Sequence, residues 1–242
     1  KHVIALINGA CSLQIALLAS GLKKNQEVLL PALNFIASCN AILYCGGVPH
    51  FVEVNNKDLG IDYDKLKNYL EKNTKVIKKN CINKKTNRII KFIMPTHVFG
   101  HIGNMEKLKS LAKKFKINII EDASEALGSF YKKKHAGTFG DAGMVCTNNQ
   151  KMYRKLKLIR EYGWIKKNLS IRDGYNKRLD ELHAGILNVK LSYLNILNSK
   201  RIRIARKFLK YIKSKKIILP KIDSLKKHVF HLFVIRIKNN QR

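Results

Sequence analysis

The chain has 242 residues, 45% of them hydrophobic, with 48 Lys and Arg against 16 Asp and Glu and a formal net charge of +32. That length and apolar content suit one large domain plus part of a second, and no apolar run is long enough to cross a bilayer, so membrane insertion is not expected. The cations are scattered (Lys23-Lys24, Lys78-Lys79, Lys113-Lys114, Lys132–Lys134, Lys213–Lys216) among abundant Ile and Asn, unlike the clustered footprint of a nucleic-acid binder. Specific nucleic-acid binding is therefore not expected, although the field would attract a phosphate-rich substrate.

Lys1–Ile7 is too short and too quickly polar for a signal peptide. It resembles a strand entered in mid-fold, so the natural N-terminus is expected to lie upstream. Val3–Ile7 is a strand candidate. Asn8-Gly9-Ala10-Cys11-Ser12 then turns into an apolar helix, Leu13–Ala19, that stops at Gly21. Small residues opening a helix leave backbone N–H groups free, which suits an anion; an ordinary N-capped turn is the alternative. Glu27–Leu30 is a strand ended by Pro31. Asn34–Ile42 is a helix with Phe35 near its start, Val48–Val54 a strand and Asp62–Leu70 an amphipathic helix. The polar stretch Lys78–Arg88 is an exposed hairpin or loop. Ile89–Met94 is a strand ending in Pro95-Thr96-His97-Val98-Phe99-Gly100, and Met105–Phe115 is a helix. Ile117–Ile120 is a buried strand ending in Glu121-Asp122-Ala123-Ser124-Glu125.

This alternation predicts an α/β fold, a mostly parallel sheet with flanking helices. The strand ends at 8–10, 95–99 and 121–125 should share one rim, where ligands bind in open α/β sheets. A carboxylate held there can serve a cationic ring nitrogen, a metal or a sugar. Beyond it come a glycine-rich loop, His135–Gly143, a short strand at Met144–Thr147 and a basic helix at Asn149–Tyr162. Gly174–Leu182 leads into a helix ending near Leu194, a further helix runs through Ile212, and Val229–Ile237 alternates like a strand. A domain boundary is expected near Tyr193–Ser199. Cys11, Cys39, Cys45, Cys81 and Cys146 are odd in number and lack C-x-x-C spacing, so neither a zinc site nor a disulfide framework is indicated, and reduced thiols in the cytoplasm are expected.

Seven segments in order carry a resemblance: Asn8–Leu13; Pro31–Phe35 with Ala41-Ile42; Val48–Val54; Pro95–Gly100; Glu121–Gly128; Gly137-Thr138-Phe139-Gly140-Asp141; and Gly174–Glu181. With them the chain resembles the DegT/DnrJ/StrS-type nucleotide-sugar aminotransferases, fold-type I enzymes dependent on pyridoxal 5'-phosphate. The insertion at Cys81–Arg88 and the acid at Glu125 look most like the branch that aminates UDP-linked 4-keto-sugars for nonulosonic acids. The resemblance implies a large cofactor-binding domain over 1–195, incomplete at its N-terminus and around 143–144, and the start of a small α+β C-terminal domain over 196–242. It implies that Asp122 pairs with the pyridinium nitrogen, Phe35 stacks on the ring, and Gly9, Ala10 and Cys11 hold the phosphate through their N–H groups. Ala10 replaces the family's usual Thr. Glu125 matches the usual Gln, sometimes Glu, near the ring's 3-oxygen, and Asn176 the residue that reaches a partner's cofactor phosphate, hence a homodimer. The alternatives are Phe35 as core and Asn176 as a helix cap. The implied reaction moves an amino group from glutamate to a nucleotide-linked keto-sugar, for cell-surface glycan precursors in the cytoplasm.

One departure stands out. About fifteen residues that the family carries between Gly143 and Met144, including the Schiff-base lysine, are not in the chain. Lys151, the nearest, belongs to a helix, and the role transfers to no lysine present. Either residues are omitted, or the protein is a lysine-less homologue, or it is a degenerate enzyme. Losing a central strand should break the sheet ladder, which favours omission. A related sugar 3-dehydratase and a basic nucleic-acid-binding scaffold are the rival functions.

Overall fold

The computed structural model describes residues 2–138, 142–143, 146–147, 149–222 and 226–238. Phe139, Gly140, Asp141, Met144 and Val145 lie outside the described residues.

The chain opens with β1 (His2–Val3) and α1 (Gly9–Ser20). Asn8 caps α1 by accepting the Cys11 N–H at 2.9 Å, and the helix stops at Gly21, which takes the left-handed conformation (φ 85°) that glycine adopts freely. β2 (Glu27–Pro31), α2 (Ile36–Tyr44), β3 (Val48–Val52) and α3 (Tyr63–Asn73) follow. α3 is capped by Asp62 and buries Leu66 and Leu70, one turn apart on its inner face. β4 (Thr74–Ile77) and β5 (Asn80–Asn83) form a hairpin whose turn and second strand fall in the stretch expected to be an exposed hairpin or loop, although Cys81 and Asn83 are buried, and β5 runs antiparallel to β6 (Ile89–Ile93). α4 (Met105–Phe115) turns Met105, Leu108, Ala112 and Phe115 inward, the i, i+3, i+7 spacing of an amphipathic helix. β7 (Asn118–Glu121), the hairpin β8 (Phe130–Tyr131) and β9 (Lys134–His135), and the short strands β10 (Ala142–Gly143) and β11 (Cys146–Thr147) come next. α5 (Gln150–Arg160), the hairpin β12 (Trp164–Lys166) and β13 (Leu169–Ser170), α6 (Glu181–Ser192) and α7 (Leu194–Tyr211) lead to β14 (Ile217–Ile218), β15 (Lys226–Lys227) and β16 (Arg236–Ile237).

The main sheet has the order β1-β11-β10-β7-β6-β2-β3. β3, β2, β6, β7 and β10 are parallel. β11 is antiparallel to both β10 and β1, so β1 runs with the parallel set. Every residue of β2 is buried, as a central parallel strand requires. Its alternate side chains divide the core. Val28 and Leu30 pack with Leu13, Leu17 and Ile42 of α1 and α2. Leu29 packs on the other side with Leu66, Leu108 and Phe115 of α3 and α4. Helices thus cover both faces, and each fully buried Leu, Ile or Phe contributes about 1.5–3 kcal/mol of hydrophobic free energy.

Two expectations change. The ladder is not broken after Gly143: Ala142 and Gly143 pair with Ile120 and Glu121 of β7, and Cys146 returns opposite Gly143. Strands of two residues suffice to keep the ladder continuous. The strand expected at Val229–Ile237 survives only as Arg236–Ile237, paired with β14. His228, Val229 and Phe230 are buried in succession and Phe230 has φ 50°; a strand buries alternate residues, so this run cannot lie in one. Within the stretch where a domain boundary was expected, Tyr193 separates α6 from α7, and α7 runs on through Ser199. Among the described residues no helix is long and apolar enough to cross a membrane.

Candidate active site

Because β1, β2, β6 and β7 run the same way, the segments leaving their carboxyl ends meet on one rim. They line a cavity of about 350 Å³ whose wall includes Asn8, Gly9, Ala10, Phe35, Thr96, His97, Asp122, Ser124 and Glu125. The rim is thus the one expected from the order of elements, and five of the seven residues proposed for cofactor binding stand on this wall.

Asp122 is 5% exposed. Its Oδ2 accepts the Ser38 hydroxyl at 2.7 Å. Its Oδ1 accepts the Ser124 hydroxyl at 2.7 Å and the Ser124 N–H at 3.2 Å. A carboxylate has about four lone-pair positions, so three are filled by this chain and room for one donor remains. The backbone holds it as firmly: Asp122 N–H donates to the Pro95 carbonyl and His97 N–H to the Asp122 carbonyl, both at 2.9 Å. Behind it, Glu121 is fully buried and accepts from His97 Nε2 at 3.0 Å and from Gly137 N–H at 2.9 Å. That carboxylate joins the ends of β6 and β7 to the glycine-rich loop.

At the other end of the cavity stands the N-terminus of α1. The first N–H groups of a helix have no intrahelical acceptor, and among the described residues those of Gly9 and Ala10 make no hydrogen bond. Cys11 differs, because its N–H is taken by Asn8; it can serve an anion only if that cap lets go. A Cβ on Gly9 would come within 3.0 Å of Ser124 Oγ, so glycine here lets the helix end approach the Asp122 cradle. Phe35 is 66% exposed, at the N-cap of α2, and is not a core residue. Glu125 accepts the Phe99 N–H at 2.5 Å. It thereby pins Phe99, whose φ of 59° is uncommon for a non-glycine residue.

Asn176 is not on the cavity wall and is not a helix cap. It is exposed, in an isolated bridge with Glu161, and Asp180 caps α6. Among the described residues no lysine lines the cavity. Sequence reasoning passed over Ser38, Ser124 and Thr96. The available signal was small hydroxyl residues placed where a strand ends or a helix begins.

A profile of the DegT/DnrJ/EryC1/StrS aminotransferase family matches residues 1–242, and the chain belongs to this family of pyridoxal-phosphate-dependent aminotransferases. Among curated relatives it is 34% identical to a dTDP-3-amino-3,6-dideoxy-alpha-D-galactopyranose transaminase of Aneurinibacillus thermoaerophilus, covering 100% of this chain and 67% of that protein. It is 30% identical to a 3-oxo-glucose-6-phosphate:glutamate aminotransferase of Bacillus subtilis, covering 100% and 55%. The chain thus spans between about half and two thirds of the length of these relatives. The first alignment runs over 258 positions, sixteen more than this chain has residues, so the relative carries at least that many without a counterpart here. Among solved structures it superposes on S. venezuelae DesV with a TM-score of 0.85 at 26% identity, over 99% of this chain and 65% of that one. It superposes on NtdA of Bacillus subtilis, solved with bound pyridoxamine phosphate, with a TM-score of 0.80 at 28% identity, over 98% and 55%. These neighbours bear out the fold-type I architecture.

The donor set fits such a cofactor in its non-covalent part. A buried acceptor stands at one end, free helix N–H groups at the other, an exposed aromatic at the mouth, and a buried hydroxyl without a partner, Thr96 Oγ1, on the wall. It does not supply a lysine for covalent attachment.

Proposed function

We propose that the intact protein is an aminotransferase that converts a nucleotide-linked keto-sugar into an amino-sugar for glycan precursors, with glutamate as donor, working as a homodimer in the cytoplasm. The observation that carries this reading is the pairing, across one cavity, of the buried Asp122 carboxylate with the open N-terminus of α1. Bound pyridoxal phosphate supplies an electron sink for the carbanion formed at the donor carbon. Asp122 keeps the ring nitrogen protonated by offering its remaining acceptor position to that N–H. Gly9 and Ala10 hold the phosphate with N–H groups aligned with the helix dipole, and Cys11 adds a third when Asn8 releases it. Phe35 covers the ring face and narrows access for water. Glu125 keeps the 96–100 turn in place by accepting the Phe99 N–H on the cavity wall.

The dimer is supported by α6, none of whose residues is buried although Leu182, Ile186, Leu187, Val189 and Leu191 are apolar. An apolar helix left bare is a surface for association. In that arrangement Asn176 reaches the partner's cofactor phosphate. The relatives include transaminases named for dTDP-, UDP- and GDP-linked sugars, and one named for glutamate. These names support a phosphate-bearing sugar substrate and a glutamate donor. The chain's cationic field favours a diphosphate-bearing substrate on any of these nucleotides.

A second reading has two observations in its favour: among the described residues no lysine lines the cavity, and Gly143 pairs with Cys146. On it, the protein is a lysine-less homologue. One experiment separates the two. The intact gene product is incubated with pyridoxal phosphate, reduced with borohydride and weighed by mass spectrometry, and 2-oxoglutarate is assayed with glutamate and keto-sugar nucleotides. A covalent mass gain with 2-oxoglutarate formation supports the aminotransferase. The absence of both results rejects it, and sugar dehydration without 2-oxoglutarate assigns the dehydratase chemistry instead.

A further inference from the structure

We propose that the hydroxyl of Thr96 donates the hydrogen bond to the 3-oxygen of the bound pyridine cofactor, in place of the side chain at 125. The inference rests on the cofactor reading above. Thr96 is 8% exposed and lies on the cavity wall. Its Oγ1 is buried and has no hydrogen-bond partner, and among the described residues Thr96 is the one residue lining the cavity that carries such an atom. Buried hydroxyls are nearly always paired, so one that is not marks a place where a group from outside the chain can bond. Thr96 is also the register partner of Asp122 in a parallel bridge, so the two side chains leave the same face of the sheet. A ligand whose ring nitrogen meets Asp122 therefore passes beside Thr96.

The chemistry of the two candidate partners decides between them. A 3-hydroxypyridine whose nitrogen is protonated carries its 3-oxygen as a phenolate, which needs a donor. Glu125 already accepts the Phe99 N–H at 2.5 Å, and an ionised carboxylate has no proton to give. Left alone beside a phenolate it would repel it. A threonine hydroxyl is a donor with its acceptor capacity to spare, and it carries no charge. With Thr96 donating, Glu125 is left to hold the turn that carries Phe99.

The test is a cycle between protein and ligand. Pyridoxamine phosphate and its 3-deoxy analogue, which need no lysine, are titrated calorimetrically against the unaltered chain, Thr96→Val and Thr96→Ser. Thr96→Val replaces the hydroxyl with a methyl group of the same shape. We expect it to weaken pyridoxamine phosphate about tenfold, the usual worth of one hydrogen bond to a charged group. It should leave the analogue's affinity within twofold, and Thr96→Ser should restore most of the loss. The ligand-free Thr96→Val chain should melt no lower than the unaltered one, because a buried hydroxyl without a partner has been removed. That pairing of weaker binding with undiminished stability is not what loss of a structural contact produces. Equal weakening toward both ligands, or no weakening toward either, would overturn the assignment while leaving the cofactor reading intact. Failure of the unaltered chain to bind pyridoxamine phosphate overturns the cofactor reading and takes this proposal with it.

Discussion

Replacing Asp122 by Asn tests the centre of the site because shape is kept and charge removed. The carboxylate accepts from Ser38 and twice from Ser124. In Asp122→Asn the amide oxygen can keep both Ser124 bonds, and the amide nitrogen can donate to Ser38 Oγ, whose hydroxyl turns to accept. Three bonds remain in number but none is charge-assisted, and a charged hydrogen bond is worth about 1.5–3 kcal/mol against about 0.5–1.5 for a neutral one. Relief from burying a charge offsets part of the difference, so the net cost is about 1–2 kcal/mol. For a chain of this size that lowers the melting temperature by about 2–8 °C. Binding suffers more. The bond from a protonated ring nitrogen to a carboxylate is lost outright, about 2–3 kcal/mol, or roughly 30- to 150-fold in the dissociation constant of pyridoxamine phosphate. Calorimetric titration and thermal melting measure the two effects on one preparation. An Asp122→Asn chain that binds within threefold of the unaltered chain would refute the pyridinium assignment. A chain that no longer folds would show that the carboxylate is chiefly structural.

Leu182→Lys places a charge at the most exposed apolar residue of α6, 82% accessible. Light scattering should show a dimer for the unaltered protein and monomers for the variant; dimers in the variant would refute α6 as the interface. Glu27 is buried at the opposite pole of β2, accepting from His50, Asn83 and Thr86 at 3.0, 3.0 and 2.5 Å. Glu27→Ala should cost about 1–3 kcal/mol by leaving the buried Asn83 amide without its acceptor, His50 being part-exposed and Thr86 exposed, and Glu27→Gln less; equal melting of both would refute that role. Burial pushes the Cys45 thiol up to about 11, with the nearby Lys177 opposing. Iodoacetamide at pH 8 should leave Cys45 unmodified in peptide maps, because the thiolate is the nucleophile. Its contribution to stability is full below the ordinary thiol range near 9 and is lost as pH rises toward 11, where the unfolded chain ionises first.

The central elements were legible because their residues obey one local rule at a time. Apolar runs bounded by Pro or Gly mark β2 and β6, and the spacing of Met105, Leu108, Ala112 and Phe115 marks α4. Asp122 stood out as an acid ending an apolar strand. Its cradle did not, because Ser38 is eighty-four residues away and its hydroxyl looks like any helix-start serine until β2 and β7 are assembled. Thr96 was hidden for the same reason: its lack of a partner is a property of the cavity. Val229–Ile237 misled because alternation of apolar and polar residues is shared by strands and by irregular segments that bury a cluster. Here His228 stacks on Phe230 with ring centroids 4.2 Å apart.

The cavity does not depend on β10 or β11, the strands that flank the place where the family's lysine segment was expected. Its phosphate end belongs to α1, held by Leu13 and Leu17 against Val28, Leu30 and Ile120. Its pyridine end belongs to the turn after β7, held by Ser38 at the start of α2 and by the backbone of residues 95–97. None of these contacts passes through β10 or β11. Non-covalent recognition and covalent attachment are therefore carried by separate stretches of chain, and the first can be complete where the second is lacking. An amine form of the cofactor needs only the first. Pyridoxamine phosphate, and not the aldehyde, is for that reason the ligand whose affinity reports on Asp122, Thr96 and the N-terminus of α1 in this chain.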